Sequence, residues 1–215
     1  MTDKLRVGVL LYPAFELLDV YGPLEMFASL GAERVDIKLI AEHAGPVAAA
    51  VGIEGQTGPK SLAEFGLDDA PPFDVLLVPG GIGTIPALAN ERLLAFIRAR
   101  ARTTKIIASV CSGSALLAKA GVLDGKRATS NKQFFSLATA QSDKVKWVEA
   151  ARWVDEGNVV TSSGVSAGMD MALAVIARLF GNEVAETISV GTEYTWHRDA
   201  SRDPFVAYLN KGGAL

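Results

Sequence analysis

Cys111 is the one cysteine in a chain of 215 residues, and its position suggests chemistry rather than space-filling. Ile106 to Val110 is a short apolar, β-branched run that reads as a buried strand. Ala115 to Ala120 reads as an amphipathic helix stopped by Gly121. Cys111 therefore falls on a strand-to-helix turn, where nucleophile elbows are built, and the small residues Ser112, Gly113 and Ser114 suit so sharp a bend. Backbone N–H groups and the helix dipole at such a turn favour a thiolate. A free thiol with a pKa of ~8.5 is only a few per cent ionised at neutral pH, so a useful nucleophile needs help. The alternative for a lone cysteine is a buried small hydrophobe.

Histidine is the usual helper, yet the chain has only His43 and His197, neither close to a strand end. Carboxyl groups remain, and Glu16 and Asp19 lie on the loop after the first strand. An ionised carboxylate beside sulfur would raise the thiol pKa, whereas a protonated one could donate a hydrogen bond and share one proton with it. On that reading, removing the Asp19 carboxyl is expected to raise the pH midpoint of Cys111 alkylation. A second reading stays open: Asp19 as a turn or capping residue ahead of a helix opened by Gly22-Pro23. Gly80 and Gly81 follow another strand and would let backbone N–H groups approach a ligand, forming an oxyanion hole with the Ser112 amide. The Gly-Gly-Ile-Gly run fits no nucleotide-binding fingerprint. Ser163 to Gly168 would line the pocket and cap the following helix.

These loops need a frame. Strand-like runs recur at Arg6 to Tyr12, Val35 to Ile40, Val75 to Val78, Ile106 to Val110 and Asn158 to Thr161. Helical spacing occupies Pro23 to Leu30, Ile85 to Arg100, Ser114 to Ala120 and Gly168 to Phe180. Alternation of this kind predicts a mainly parallel sheet covered on both faces, whose ligands bind outside the carboxyl ends of the strands. Ala44 to Ala70 is less regular and is expected to hold a small hairpin or edge excursion. Hydrophobic content of 49% and charged content of 21% describe one globular domain, and a net charge of -3 gives no reason to expect nucleic acid or anionic membrane as partner. The single cysteine and the absence of a signal-like start point to the cytoplasm. The longest apolar stretch, Met169 to Phe180, contains Asp170 and Arg178 and is too short to span a bilayer.

Four ordered motifs carry a family resemblance: Leu18-Asp19-Val20-Tyr21-Gly22-Pro23-Leu24-Glu25, Val78-Pro79-Gly80-Gly81, Ser109-Val110-Cys111-Ser112-Gly113, and Thr161 to Asp170. Together they resemble the DJ-1/PfpI (ThiJ) superfamily, in particular its isocyanide (isonitrile) hydratase-like branch. The resemblance implies a single domain over residues 1–215 with a flavodoxin-like, class I glutamine amidotransferase-like fold, a three-layer α/β/α sandwich with a mainly parallel sheet. It also implies a homodimer, a small-molecule electrophile as substrate, and no metal or organic cofactor. Cys111, Asp19 and Ser112 would be catalytic, and Gly80, Gly81, Val165 and Asn131 would bind substrate. The implied reaction hydrates R-NC to an N-substituted formamide through a thioimidate on Cys111. Alternatives within the resemblance are a thiol sensor oxidised at Cys111 and a low-level glyoxalase. Ser112 stands where relatives often carry threonine, and Asn131 where many carry histidine, which argues against protease-like or amidase-like chemistry. Related modules occur fused to AraC-type DNA-binding domains. Only ten residues follow Phe205, too few for a helix-turn-helix.

Overall fold

A computed structural model describes residues 4–52 and 57–212. The elements run β1 (Leu5–Leu10), α1 (Leu17–Ala28), β2 (Val35–Ile40), β3 (Gly45–Ala48), β4 (Lys60–Ala63), β5 (Val75–Val78), α2 (Thr84–Ala87), α3 (Glu91–Arg100), β6 (Ile106–Ser109) and α4 (Gly113–Lys119). They continue through β7 (Arg127–Ala128), α5 (Phe135–Thr139), β8 (Lys146–Trp147), β9 (Trp153–Asp155), β10 (Val159–Ser162), α6 (Ala167–Phe180) and α7 (Asn182–Gly191), and a 3-10 turn spans Pro204–Tyr208. Among the described residues the main sheet has the order β2-β1-β5-β6-β10-β9. Its pairings are parallel except β10 with β9, which is antiparallel. The strands β5, β6 and β10 are buried at every position, which is why none shows the apolar-polar alternation of a half-exposed strand and β5 reads as an unbroken apolar run.

Helices cover both faces. One core gathers Val9, Phe15, Phe27 and Val75 with Met171 and Ile176, joining α1 and α6 to one side of the sheet. The other gathers Leu10, Leu76, Ile97 and Leu117, joining α3 and α4 to the opposite side. This is the α/β/α sandwich of flavodoxin-like proteins. The expected excursion at Ala44 to Ala70 is an antiparallel pair, β3 with β4, with residues 53–56 of that span outside the described residues. No helix among the described residues is long and apolar enough to cross a membrane.

Two helix boundaries differ from the sequence expectation. The first helix starts at Leu17 rather than Pro23, so Pro23 lies inside it. Proline lacks an N–H and leaves the carbonyl four residues back, that of Asp19, without its helical donor. The neighbourhood accepts this because α1 and α6 approach closely at small residues. A Cβ on Gly22 would come within 3.0 Å of Met169 Cγ, and one on Gly168 within 3.0 Å of Pro23 Cγ. The second expected helix is broken into α2 and α3, because the Asn90 side chain accepts the Leu93 N–H and starts a new helix. The helices α5 and α7 and the strand β9 were not expected from the sequence.

Candidate active site

The turn after β6 is an elbow. Cys111 has φ of 57°, a left-handed conformation that costs a non-glycine residue about 1–2 kcal/mol. Several bonds hold it there. The Cys111 amide donates to Ser163 O at 3.3 Å, and the Ser114 and Ser130 hydroxyls each donate to Cys111 O at 3.2 Å. Gly113 must be glycine: a Cβ would lie 2.7 Å from Pro79 O and closer still to Val78 O. The elbow thus packs against the end of β5, which brings Gly80 and Gly81 beside it.

Asp19 sits in the first turn of α1 and is fully buried. Its Oδ2 accepts the Gly80 N–H at 2.8 Å, and a Cβ on Gly80 would lie 2.5 Å from Ser112 Oγ and 3.0 Å from Asp19 Oδ2. Asp19 Oδ1 is buried without a hydrogen-bond partner among the described residues. The carboxyl faces the Cys111 thiol closely enough for each to act on the other's ionisation. The sulfur in turn receives the Asn131 Nδ2–H at 3.1 Å, and the neighbouring Ser112 amide and hydroxyl act on its ionisation in the same direction as Asn131. The sequence left Asp19 between a capping role and a role at sulfur; its carboxyl lies in the first turn of α1, accepts the Gly80 N–H and faces Cys111.

Electrostatics departs from the sequence expectation. Burial pushes the Cys111 thiol well above its ordinary value, and the neighbouring Asp19 charge pushes it further; the Ser112 and Asn131 donors act the other way. Burial also pushes Asp19 up, opposed by the Gly80 amide. Two buried anions in contact cannot both form readily, so the pair carries at most one negative charge across the neutral range. The elbow alone therefore does not keep sulfur anionic. The Asp19 charge presses the thiol pKa upward, so the electrostatics of the site do not supply the lowering that the sequence led one to expect from this carboxyl.

The other expected site residues are placed as follows. The Gly81 amide donates to Ser112 Oγ at 3.1 Å, and Ser112 Oγ lies 2.9 Å from Thr84 Oγ1, which lies 3.0 Å from the Tyr12 hydroxyl. The Gly80 and Gly81 amides thus orient Asp19 and Ser112, instead of pointing free into an oxyanion hole. Asn131 reaches the sulfur through its amide, a donor without a titratable proton. Val165 lines a cavity of about 320 Å³ with Leu18, Asn131, Gly164 and Phe205. A Cβ on Gly164 would lie 3.0 Å from Cys111 Sγ, and Asn131 bonds that sulfur, so two residues of the cavity wall also lie against Cys111. His197 bonds Arg202 O through its ring, and neither histidine is among the groups acting on Cys111.

Sequence reasoning missed the polar groups behind the site. Arg152 Nε and Nη2 both reach Asp170 Oδ2 at 2.7 Å in the interior, and Tyr194 donates to Asp170 Oδ1 at 3.0 Å. The available signal was Asp170, a charged residue interrupting an otherwise apolar helix. Among the described residues no group of three or more His, Cys, Asp or Glu side chains could hold a metal ion.

A flavodoxin-like sandwich with a strained cysteine at the elbow defines a class of thiol proteins. The sequence matches the DJ-1/PfpI family over residues 5–178, and the chain belongs to that family. It is 37% identical over 191 residues to isonitrile hydratase from Pseudomonas putida, covering 88% of this chain and 78% of that one. Among solved structures, a ThiJ/PfpI family protein from Pseudomonas syringae superposes with a TM-score of 0.77 at 32% identity, covering 89% of this chain and 76% of the other. Drosophila melanogaster DJ-1beta superposes with a TM-score of 0.75 at 22% identity, over 90% of this chain and all of the other, which is a likeness of fold.

Proposed function

We propose that the chain is an isocyanide hydratase, a hydro-lyase that converts R-NC and water to an N-substituted formamide. One observation carries the reading: the elbow cysteine faces a buried carboxyl, Asp19, whose Oδ1 is left without a hydrogen-bond partner among the described residues, and no imidazole acts on it. An isocyanide carbon needs a nucleophile and a proton at the same atom. A thiol-carboxyl pair sharing one proton supplies both. The similarity to isonitrile hydratase supports the same substrate class.

In the reactive form the proton is on Asp19 and the charge on sulfur, where the Ser112 amide and Asn131 Nδ2 receive it. Sulfur attacks the terminal carbon and Asp19 protonates that carbon, giving an S-linked thioimidate, R-N=CH-S, and leaving Asp19 ionised. The carboxylate then takes a proton from water as hydroxide adds to the imidate carbon, and passes that proton to nitrogen. The tetrahedral adduct collapses: the C–S bond breaks, the hydroxyl proton goes to Asp19, and formamide leaves. Thiolate and protonated Asp19 are regenerated, so no outside acid or base is consumed. Leu18, Val165 and Phe205 would receive the R group, which favours apolar substituents.

Formamide production from simple alkyl isocyanides tests the proposal. Turnover by the wild type, none by Cys111→Ala and a loss of about 10²–10⁴ in Asp19→Asn are expected. No turnover by the wild type would reject the substrate class. A sensor role is disfavoured by the thiol's 6% exposure and by the upward pressure on its pKa, since oxidation selects exposed, low-pKa thiols.

A further inference from the structure

Lys132 follows Asn131 directly, yet its side chain is only 2% exposed. Its ammonium donates to Thr129 Oγ1 at 2.7 Å, Ala151 O at 2.7 Å and Ser130 O at 3.3 Å, three acceptors for three N–H groups. The Phe135 ring centroid lies 5.4 Å from Nζ. These bonds staple the 129–131 loop to the stretch before β9. The stapled loop carries the two contacts that reach the elbow from this side: Ser130 Oγ to Cys111 O and Asn131 Nδ2 to Cys111 Sγ.

An isolated buried ammonium is costly, so its charge must be balanced. The groups facing it are Asp203 from the carboxyl-terminal segment, and Glu149 and Arg152 from the stretch before β9. Arg152 is paired with Asp170 of α6 and lies 4.0 Å from Asp203 Oδ2. Lys132 and Arg152 thus match Asp170 and Asp203 in the interior. Burial brings the lysine pKa down to about 8, which leaves the ammonium predominantly charged at neutral pH.

We propose that Lys132 is a positioning residue for Cys111, the hydrogen bonds of its Nζ fixing the 129–131 loop so that the Asn131 amide stays on the sulfur. The role rests on Cys111 being the nucleophile of the proposed reaction. Its test, however, reads thiol ionisation rather than isocyanide turnover, so the two readings fail separately.

In the full-length chain the single thiol can be titrated by thiolate absorbance and by alkylation rate against pH. Lys132→Met is expected to raise the midpoint by about half to one pH unit, the scale of a weakened hydrogen bond to an anion. Thr129→Val removes one acceptor while keeping the charge, and is expected to give a smaller rise in the same direction; it stands in if Lys132→Met does not fold. In an Asn131→Ala background neither substitution should move the midpoint further. A fall in Tm with an unmoved midpoint would overturn the proposal, as would a full additive shift in the Asn131→Ala background.

Discussion

Replacing Asp19 by asparagine keeps the shape of the side chain and an acceptor for the Gly80 N–H, and removes the charge that faces Cys111. A thiolate and a carboxylate in contact lie about 4 Å apart, and at an effective dielectric constant near 20 their repulsion is about 4 kcal/mol. Both groups are buried, so solvent screens the term little. The wild-type thiol is therefore expected to titrate in two steps, one when the pair loses its first proton and one, far higher, when the second leaves. Asp19→Asn should titrate in a single step, with full ionisation reached at lower pH, while isocyanide turnover collapses for want of a proton donor. Because the chain has one cysteine, thiolate absorbance reports this sulfur without ambiguity. A midpoint that stays put or rises in Asp19→Asn would refute the shared-proton reasoning.

Other consequences follow from the same geometry. Burial holds the Asp19 pKa above its unfolded value, so its contribution to stability is complete at low pH and is lost as pH rises through the folded value. Thermal melts should therefore show Asp19→Asn gaining in Tm relative to wild type between about pH 4 and pH 8, with equal gains at both ends contradicting the assignment. Asn131→Ala removes a donor from sulfur and should raise the alkylation midpoint by about one unit. Gly80→Ala would drive a Cβ to 2.5 Å from Ser112 Oγ, and a steady-state assay should show at least about a tenfold loss of kcat/KM with the fold retained by circular dichroism. Arg152→Met strands the buried Asp170 carboxylate, and should cost about 3–5 kcal/mol in denaturant melts.

The frame was legible because buried parallel strands leave unbroken apolar runs, as in Val75–Val78, and because Cys111 stands between such a run and a helix. The pairing of Cys111 with Asp19 was half legible. Resemblance suggested it, but the residues alone allowed a capping role, since Pro23 mimics a helix start. Only packing shows that the helix begins at Leu17, where its close contact with α6 compensates for an internal proline. The direction of the thiol pKa was not legible, because desolvation depends on burial from every side and a sequence shows only the local dipole. The Lys132 staple and the Arg152–Asp170 pair escaped for a related reason. Each is made by residues distant in the chain, and no local pattern distinguishes a buried, matched charge from a solvated one.

Hydration by this route requires a covalent bond from Cys111 to the isocyanide carbon. Rapid mixing of wild-type protein with excess alkyl isocyanide, acid quenching and intact-mass measurement would look for it directly. A transient gain equal to the mass of one isocyanide, mapped to the Cys111 peptide and absent in Cys111→Ala, is the expected result. Formamide accumulating with no such adduct, or at full rate from Cys111→Ala, would contradict it.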